Sequence, residues 1–138
     1  MRADWQEVPR GDVMPQYAGI YVTMKPKGEI MMSRVTYEMM GSPKAFVILF
    51  DQTNRRIGLK PSALTTRNAY PVCVGSNAGA KRLLAYRLTR EHDIDLEQTV
   101  RFYDAKIDED GVLTLDLRTA KVSPRALGYQ KRVKIPNA

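Results

Sequence analysis

The sequence predicts an α+β fold, a compact and mostly antiparallel β structure with two helices. Three observations predict it. Several short segments alternate apolar and polar residues with the period of two that a half-buried strand requires, and turn residues separate them. Only two segments have the spacing of a helix. Residues 34–51 and 87–104 also share five identities in 18 positions, which suggests two related halves, each a helix followed by a β-hairpin.

The chain opens with an arm over residues 1–18, where proline and glycine residues predict irregular structure. The first strand is predicted over residues 19–24, because its apolar residues fall on alternate positions. A turn over residues 25–28 leads into a second short strand over residues 29–32.

The first helix is predicted over residues 34–40. Ser33 is a good N-cap for it, and Gly41 ends it. The apolar run 45–50 has the composition of a buried strand, and a turn returns the chain into a strand over residues 56–60.

Residues 70–74 are predicted as a strand at a sheet edge, since Pro71 cannot donate a ladder hydrogen bond. The loop from Gly75 to Gly79 is then expected to lead into the second helix, over residues 80–92. A strand follows over 99–107, and Asp110-Gly111 is a strong hairpin signal before a returning strand over 112–117. The predicted organisation is thus one domain over residues 19–118, with a basic tail over 119–138.

The formal net charge of +7 over 138 residues is unevenly distributed. Residues 1–51 are neutral, residues 52–90 carry +8 with no acidic residue, residues 91–116 carry −7, and residues 117–138 carry +6. The second and third of these segments are called the basic block and the acidic block below. Basic segments of this kind attract polyanions. They can equally pair with the acidic block, within one chain or between subunits.

Composition excludes several classes of site. A single cysteine, Cys73, cannot build a disulfide framework or a multi-cysteine zinc site, and a single histidine, His92, cannot build a histidine-rich metal site. The longest apolar run, residues 45–50, is far shorter than a membrane span. We therefore expect a soluble cytoplasmic protein with no membrane partner, no metal, no cofactor and no catalytic activity.

The segment from Gly75 to Lys81 offers an alternative, in which an enzyme or binding protein holds a small phosphate ligand. It is not a Walker motif, because the glycine spacing is short and Arg82 stands where serine or threonine is required. A helix N-terminus after this loop would still attract an anion. The other interpretation is a capped helix start with no ligand.

Residues 19–61 resemble the AbrB-like family of small bacterial transcription regulators. The shared order is a strand, Lys27-Gly28-x-Ile30, a short helix, Gly41, a buried strand and a hairpin. The resemblance implies a swapped-hairpin, looped-hinge fold and an intertwined homodimer that binds DNA through basic residues. Lys25, Lys27 and Arg34 are the basic positions that carry over, whereas Glu29 stands where the family has arginine.

These observations lead us to expect a homo-oligomeric nucleic-acid-binding protein that binds DNA and regulates transcription. Basic residues interleaved with tyrosines suit phosphate contacts combined with base stacking. The alternative is a structural or interaction module that oligomerises by pairing acidic and basic blocks. The predicted nucleic-acid-binding residues are Lys25, Lys27, Arg34, Arg55, Arg56, Arg67, Lys81, Arg82, Tyr86, Arg90, Lys131 and Arg132.

Overall fold

Two antiparallel sheets and two short helices make up the described part of the chain, which confirms the predicted α+β class. The structure is a computed structural model that describes residues 3–6, 8 and 20–123. In chain order, the elements are β1 (Val22–Met24), β2 (Glu29–Met32), α1 (Arg34–Met39), β3 (Ala45–Asp51), β4 (Arg56–Ser62), β5 (Ala69–Pro71), β6 (Cys73–Val74), β7 (Lys81–Leu84), α2 (Tyr86–Glu91), β8 (Val100–Arg101), β9 (Lys106–Ile107), β10 (Leu113–Asp116) and β11 (Lys121–Val122).

The first sheet has six strands in the order β11-β8-β1-β2-β7-β6, and the second has five in the order β5-β3-β4-β10-β9. The inward-facing apolar residues of both sheets belong to one buried cluster, so the sheets pack face to face. Strand β11 lies in the segment predicted as tail, yet it pairs with β8 at one edge of the first sheet.

Helix α1 forms as its sequence predicts. The Ser33 hydroxyl accepts a hydrogen bond of 3.2 Å from the backbone N–H of Thr36, which satisfies one of the open donors of the first turn. The chain leaves the helix through Gly41, whose φ of +88° favours glycine.

The prediction of a helix over residues 80–92 is wrong in its first half. Residues Lys81–Leu84 are strand β7, which pairs with β2, and α2 covers only Tyr86–Glu91. The loop from Gly75 to Gly79 is therefore a hairpin connection between β6 and β7, closed by a 2.8 Å hydrogen bond from the Gly75 N–H to the Ala80 carbonyl. A phosphate-cradling helix start does not exist at this loop.

Two predicted strands are each divided between the sheets. Residues predicted as one strand over 70–74 form the end of β5 and the whole of β6, with β5 at the edge of the second sheet. Residues predicted as one strand over 99–107 form β8 and β9. In both cases the chain crosses from one sheet to the other, which a pattern of period two does not reveal.

The two segments that share identities, 34–51 and 87–104, differ after their helices: Val47 lies in β3 of the second sheet, whereas the aligned Val100 lies in β8 of the first sheet. Strand β2 before α1 pairs antiparallel with β7 before α2, and β4 pairs antiparallel with β10. A hairpin, β3-β4, follows α1 as predicted. After α2 the chain first adds β8 to the first sheet, and only then forms the β9-β10 hairpin around Asp110-Gly111.

Candidate nucleic-acid interface

The outer face of the first sheet, which points away from the second sheet, carries a row of aligned residues. Partner residues on antiparallel strands point to the same face, so one residue from each of the six strands falls on this line. We call it the cross-strand row; its members are Lys121, Arg101, Thr23, Met31, Arg82 and Cys73. Three of the six are basic, and they come from three different charge segments of the sequence.

Arg101 lies between two tyrosines on this face. Its guanidinium carbon is 4.4 Å from the ring centroid of Tyr21 and 4.6 Å from that of Tyr103. Both distances are within the range of a cation–π contact. The tyrosines are 37% and 46% exposed, so each ring has surface that a ligand can reach. Together, Tyr21, Arg101 and Tyr103 form the Arg101 sandwich.

Two arginines of the row have an unsatisfied donor. Within the described residues, the Nε atoms of Arg82 and Arg101 are buried and have no hydrogen-bond partner. Buried donors without a partner are uncommon and require an explanation such as a water, an ion or a ligand. Both atoms belong to side chains of the outer face but are shielded from solvent, so they are not themselves contact points for a ligand.

A second basic and aromatic cluster lies where the turn between β1 and β2 meets α2. An open cavity of about 440 Å³ is lined there by Lys27, Tyr86, Thr89 and Arg90. Three of these four are predicted site residues, and the fold brings them together from segments about 60 positions apart in the sequence. No carboxylate lines the cavity.

Comparisons with known proteins do not assign this site. No protein-family model matches the chain, and neither the curated proteins nor the solved structures include a match. The resemblance of residues 19–61 to the AbrB-like family stays a prediction.

Two further predicted site residues share one carboxylate. Lys25 Nζ is 3.3 Å from one oxygen of Glu29, and Arg82 NH1 is 3.3 Å from the other. The Glu29 side chain is only 12% exposed, whereas both cations are close to half exposed. Glu29 therefore holds both side chains in place and leaves this part of the face with one net positive charge.

The structure disperses several other predicted residues. Arg34 pairs with Glu38 at 3.6 Å, and Lys81 Nζ lies 5.6 Å from the ring centroid of Tyr37. Arg67 is exposed in the loop between β4 and β5. These three residues belong neither to the cross-strand row nor to the cavity. Lys131 and Arg132 lie outside the described residues.

Arg55 has a structural role. Its guanidinium donates hydrogen bonds of 3.1 Å and 3.3 Å to the carbonyls of His92 and Asp93, at the C-terminal end of α2. It also lies 5.2 Å from the ring centroid of Phe50, which packs against the His92 ring. A cation on the last carbonyls of a helix satisfies open acceptors and favours the helix dipole.

Arg56 is tied to the turn between β3 and β4. Its NH2 atom is 3.0 Å from an oxygen of Asp51. Hydrogen bonds from the Asn54 side chain, from Arg56 and from the Asn54 backbone lower the pKa of Asp51 to about 2. The ion pair is solvent-exposed, so we assign it to the turn and not to the interface.

Little of the acidic block pairs with the basic block. Among the described residues, the only ion pair between them joins Arg87 and Glu91, whose side-chain atoms approach to 2.6 Å. That hydrogen bond lowers the pKa of Glu91 and raises the pKa of Arg87. Asp116, at the other end of the acidic block, pairs with Arg118. The basic surface is therefore not neutralised by the protein's own acidic segment in the part of the chain that the structure describes.

The predicted site residues do not include four residues of the candidate interface, namely Tyr21, Arg101, Tyr103 and Lys121, although Lys121 belongs to the predicted basic tail. Charge distribution along the chain does not indicate Arg101, because it lies in the acidic block, where the local net charge is negative. The alternation within the predicted strand over 99–107 places Arg101 and Tyr103 on one face, and this was the usable signal. Over residues 3–6, 8 and 20–123, no cluster of metal-ligating side chains occurs, and no helix is long and apolar enough to span a membrane.

Proposed function

We propose that the chain is a non-catalytic nucleic-acid-binding protein and that it binds a single strand on the outer face of its first sheet. The observation that carries the proposal is the Arg101 sandwich within the cross-strand row. Exposed tyrosines beside a guanidinium, on an open sheet face, supply base stacking and phosphate contacts together. The bases of a single strand are free to stack in this way, whereas those of a duplex are not.

The charge on the face supports the same proposal. Arg82, Arg101 and Lys121 cross the sheet on one line, as a ligand that follows a phosphate backbone requires. Three neutralised phosphates give a slope of about −2 for log affinity against log salt on a single strand. A regulatory role in transcription, which the family resemblance implies, would be one use of such a face.

The test compares binding of fluorescent single-stranded DNA, single-stranded RNA and duplex DNA of one sequence over a range of salt. We expect single strands to bind more tightly than the duplex, with the slope given above. Arg101→Ala should weaken single-strand binding about tenfold, since it removes a phosphate contact and separates the tyrosines. Arg87→Ala is the matched control, because it removes the same charge from an exposed arginine that is already paired with Glu91. The proposal fails if no strand binds, or if the two variants weaken binding equally.

The exposed acidic block favours a second candidate, oligomerisation through acidic and basic contacts. Asp93, Asp95, Glu97, Glu109 and Asp110 are all exposed. In that case, light scattering would show a larger assembly that dissociates as salt rises, and no nucleic acid would be bound.

A further inference from the structure

The cavity between the β1-β2 turn and α2 is open to solvent and is lined by two cations, an aromatic ring and a hydroxyl. Its volume of about 440 Å³ falls in the range of small-molecule pockets. We propose that it binds one nucleotide, with the base against Tyr86 and the phosphate between Lys27 and Arg90. The inference rests on the proposed function in taking the ligand to be a nucleotide.

Lys27 and Arg90, the two cations of the cavity, differ in their pairing from the basic residues near them in the sequence. Lys25 and Arg87 are held by Glu29 and Glu91, respectively. Among the described residues, Lys27 and Arg90 have no carboxylate within ion-pair distance. Since no acidic side chain lines the cavity either, the charge at the cavity is available to an anion.

The wall of the cavity is preformed. The Thr89 hydroxyl lies 3.1 Å from the Lys27 carbonyl and 2.8 Å from the Tyr86 carbonyl, so it bridges the turn and the helix. The Ala85 N–H donates a 3.0 Å hydrogen bond to the carbonyl of Gly28. A Cβ at Gly28 would lie only 2.6 Å from the Ala85 carbonyl oxygen, so glycine permits this close approach. The backbone of the turn and of the helix start therefore needs little ordering when a ligand binds.

Tyr86 supplies the surface for a ring. It is 42% exposed although it lies on the first turn of a helix that is otherwise packed through Leu88. Stacking on an aromatic side chain is open to any base, because every base has a π-face. A ring and a phosphate recognised together distinguish a nucleotide from inorganic phosphate, which would use the cations alone.

The experiment is calorimetric titration of the full chain with adenosine 5′-monophosphate, adenosine and inorganic phosphate, each alone. We expect the nucleotide to bind more tightly than either fragment. Arg90→Ala and Tyr86→Leu should each weaken nucleotide binding about tenfold. Arg87→Ala, on the same helix but outside the cavity, should change it less than twofold. Circular dichroism of each variant verifies that it is folded.

Short single strands separate the two sources of the nucleotide. If Arg90→Ala weakens binding of the strand as well as of the free nucleotide, the cavity holds one nucleotide of a bound strand. If only the free nucleotide is affected, the cavity binds free nucleotides and the sheet face acts independently. The inference is overturned if the nucleotide and inorganic phosphate bind equally. It is also overturned if Arg90→Ala and Tyr86→Leu leave the affinity for the nucleotide unchanged. Its failure differs from failure of the proposed function, which is measured by Arg101→Ala on strands.

Discussion

Replacement of Thr36 by valine should destabilise the protein because it removes a buried hydroxyl that forms hydrogen bonds with two other residues. Thr36 is fully buried, and its hydroxyl accepts a 2.8 Å hydrogen bond from the backbone N–H of Tyr21. It also forms a 2.9 Å hydrogen bond with the hydroxyl of Ser33, the N-cap of α1. One side chain thus joins the helix start to Tyr21, a member of the Arg101 sandwich.

Valine has almost the same shape as threonine, so Thr36→Val leaves no cavity and removes only the hydroxyl. The Tyr21 N–H, which lies in a part-buried hydrogen bond, then has no acceptor in the protein, and this costs about 1–2 kcal/mol. A loss of about 2 kcal/mol corresponds to a decrease in Tm of about 7 °C for a domain of this size. The Tyr21 ring should also lose its fixed position beside Arg101, so single-strand binding should weaken together with stability.

Thermal and urea unfolding followed by circular dichroism measure the effect. Thr65→Val, in an exposed loop, is the control and should change the free energy of unfolding by less than about 0.5 kcal/mol. Because Ser33 and Thr36 share a hydrogen bond, Ser33→Ala combined with Thr36→Val should destabilise less than the sum of the single changes. A Thr36→Val protein as stable as the control would refute the assignment of this hydroxyl as a link between α1 and Tyr21, the residue before β1.

Three further changes test the turns and the core. In Asp51→Asn, the difference in Tm from the parent protein should shrink as pH falls from 3.8 to about 2. The reason is that a carboxylate with a lowered pKa stabilises the fold only while it is ionised. A difference in Tm that stays constant with pH would contradict this. Gly28→Ala should destabilise by at least about 2 kcal/mol, since its φ is +110° and the added Cβ meets the Ala85 carbonyl; unchanged urea unfolding would show that the turn is not locked onto α2. Leu115→Ala, at a fully buried core position, should lower the free energy of unfolding by about 2–5 kcal/mol, and a loss below about 1 kcal/mol would mean that the two sheets do not share this core.

Local signals predicted much of the fold because their physical causes are local. The Ser33 cap, the Gly41 helix end and the Asp110-Gly111 hairpin each depend on residues within one turn, and all three occur in the structure. The buried strand over residues 45–50 also forms, as part of β3. The predicted fold class follows from such short-range signals taken together.

The predicted start of the second helix is wrong, and the reason is nonlocal. Apolar residues at positions 80, 83, 84 and 88 fit the period of a helix. In the folded chain, however, β2 offers an unpaired edge, and Lys81–Leu84 satisfies it as β7. Gly75 assists, because a Cβ there would lie 2.9 Å from the carbonyl of Ala80 and obstruct the hairpin. Ladder hydrogen bonds with a distant strand thus outweighed a local helical pattern.

The sequence by itself determined the charge segments, the short strands and their turns, and the absence of residues for a disulfide or zinc site. Only the tertiary structure decided which cations lie on one line of the sheet. Arg55 and Arg56 come from the most basic segment but are held by carbonyls and a carboxylate, whereas Arg101 comes from the acidic block and lies between two tyrosines. The physical reason is that the cross-strand row is a line across six strands. Its members are separated by up to about 100 positions in the chain, and pairing register, which no short segment encodes, aligns them.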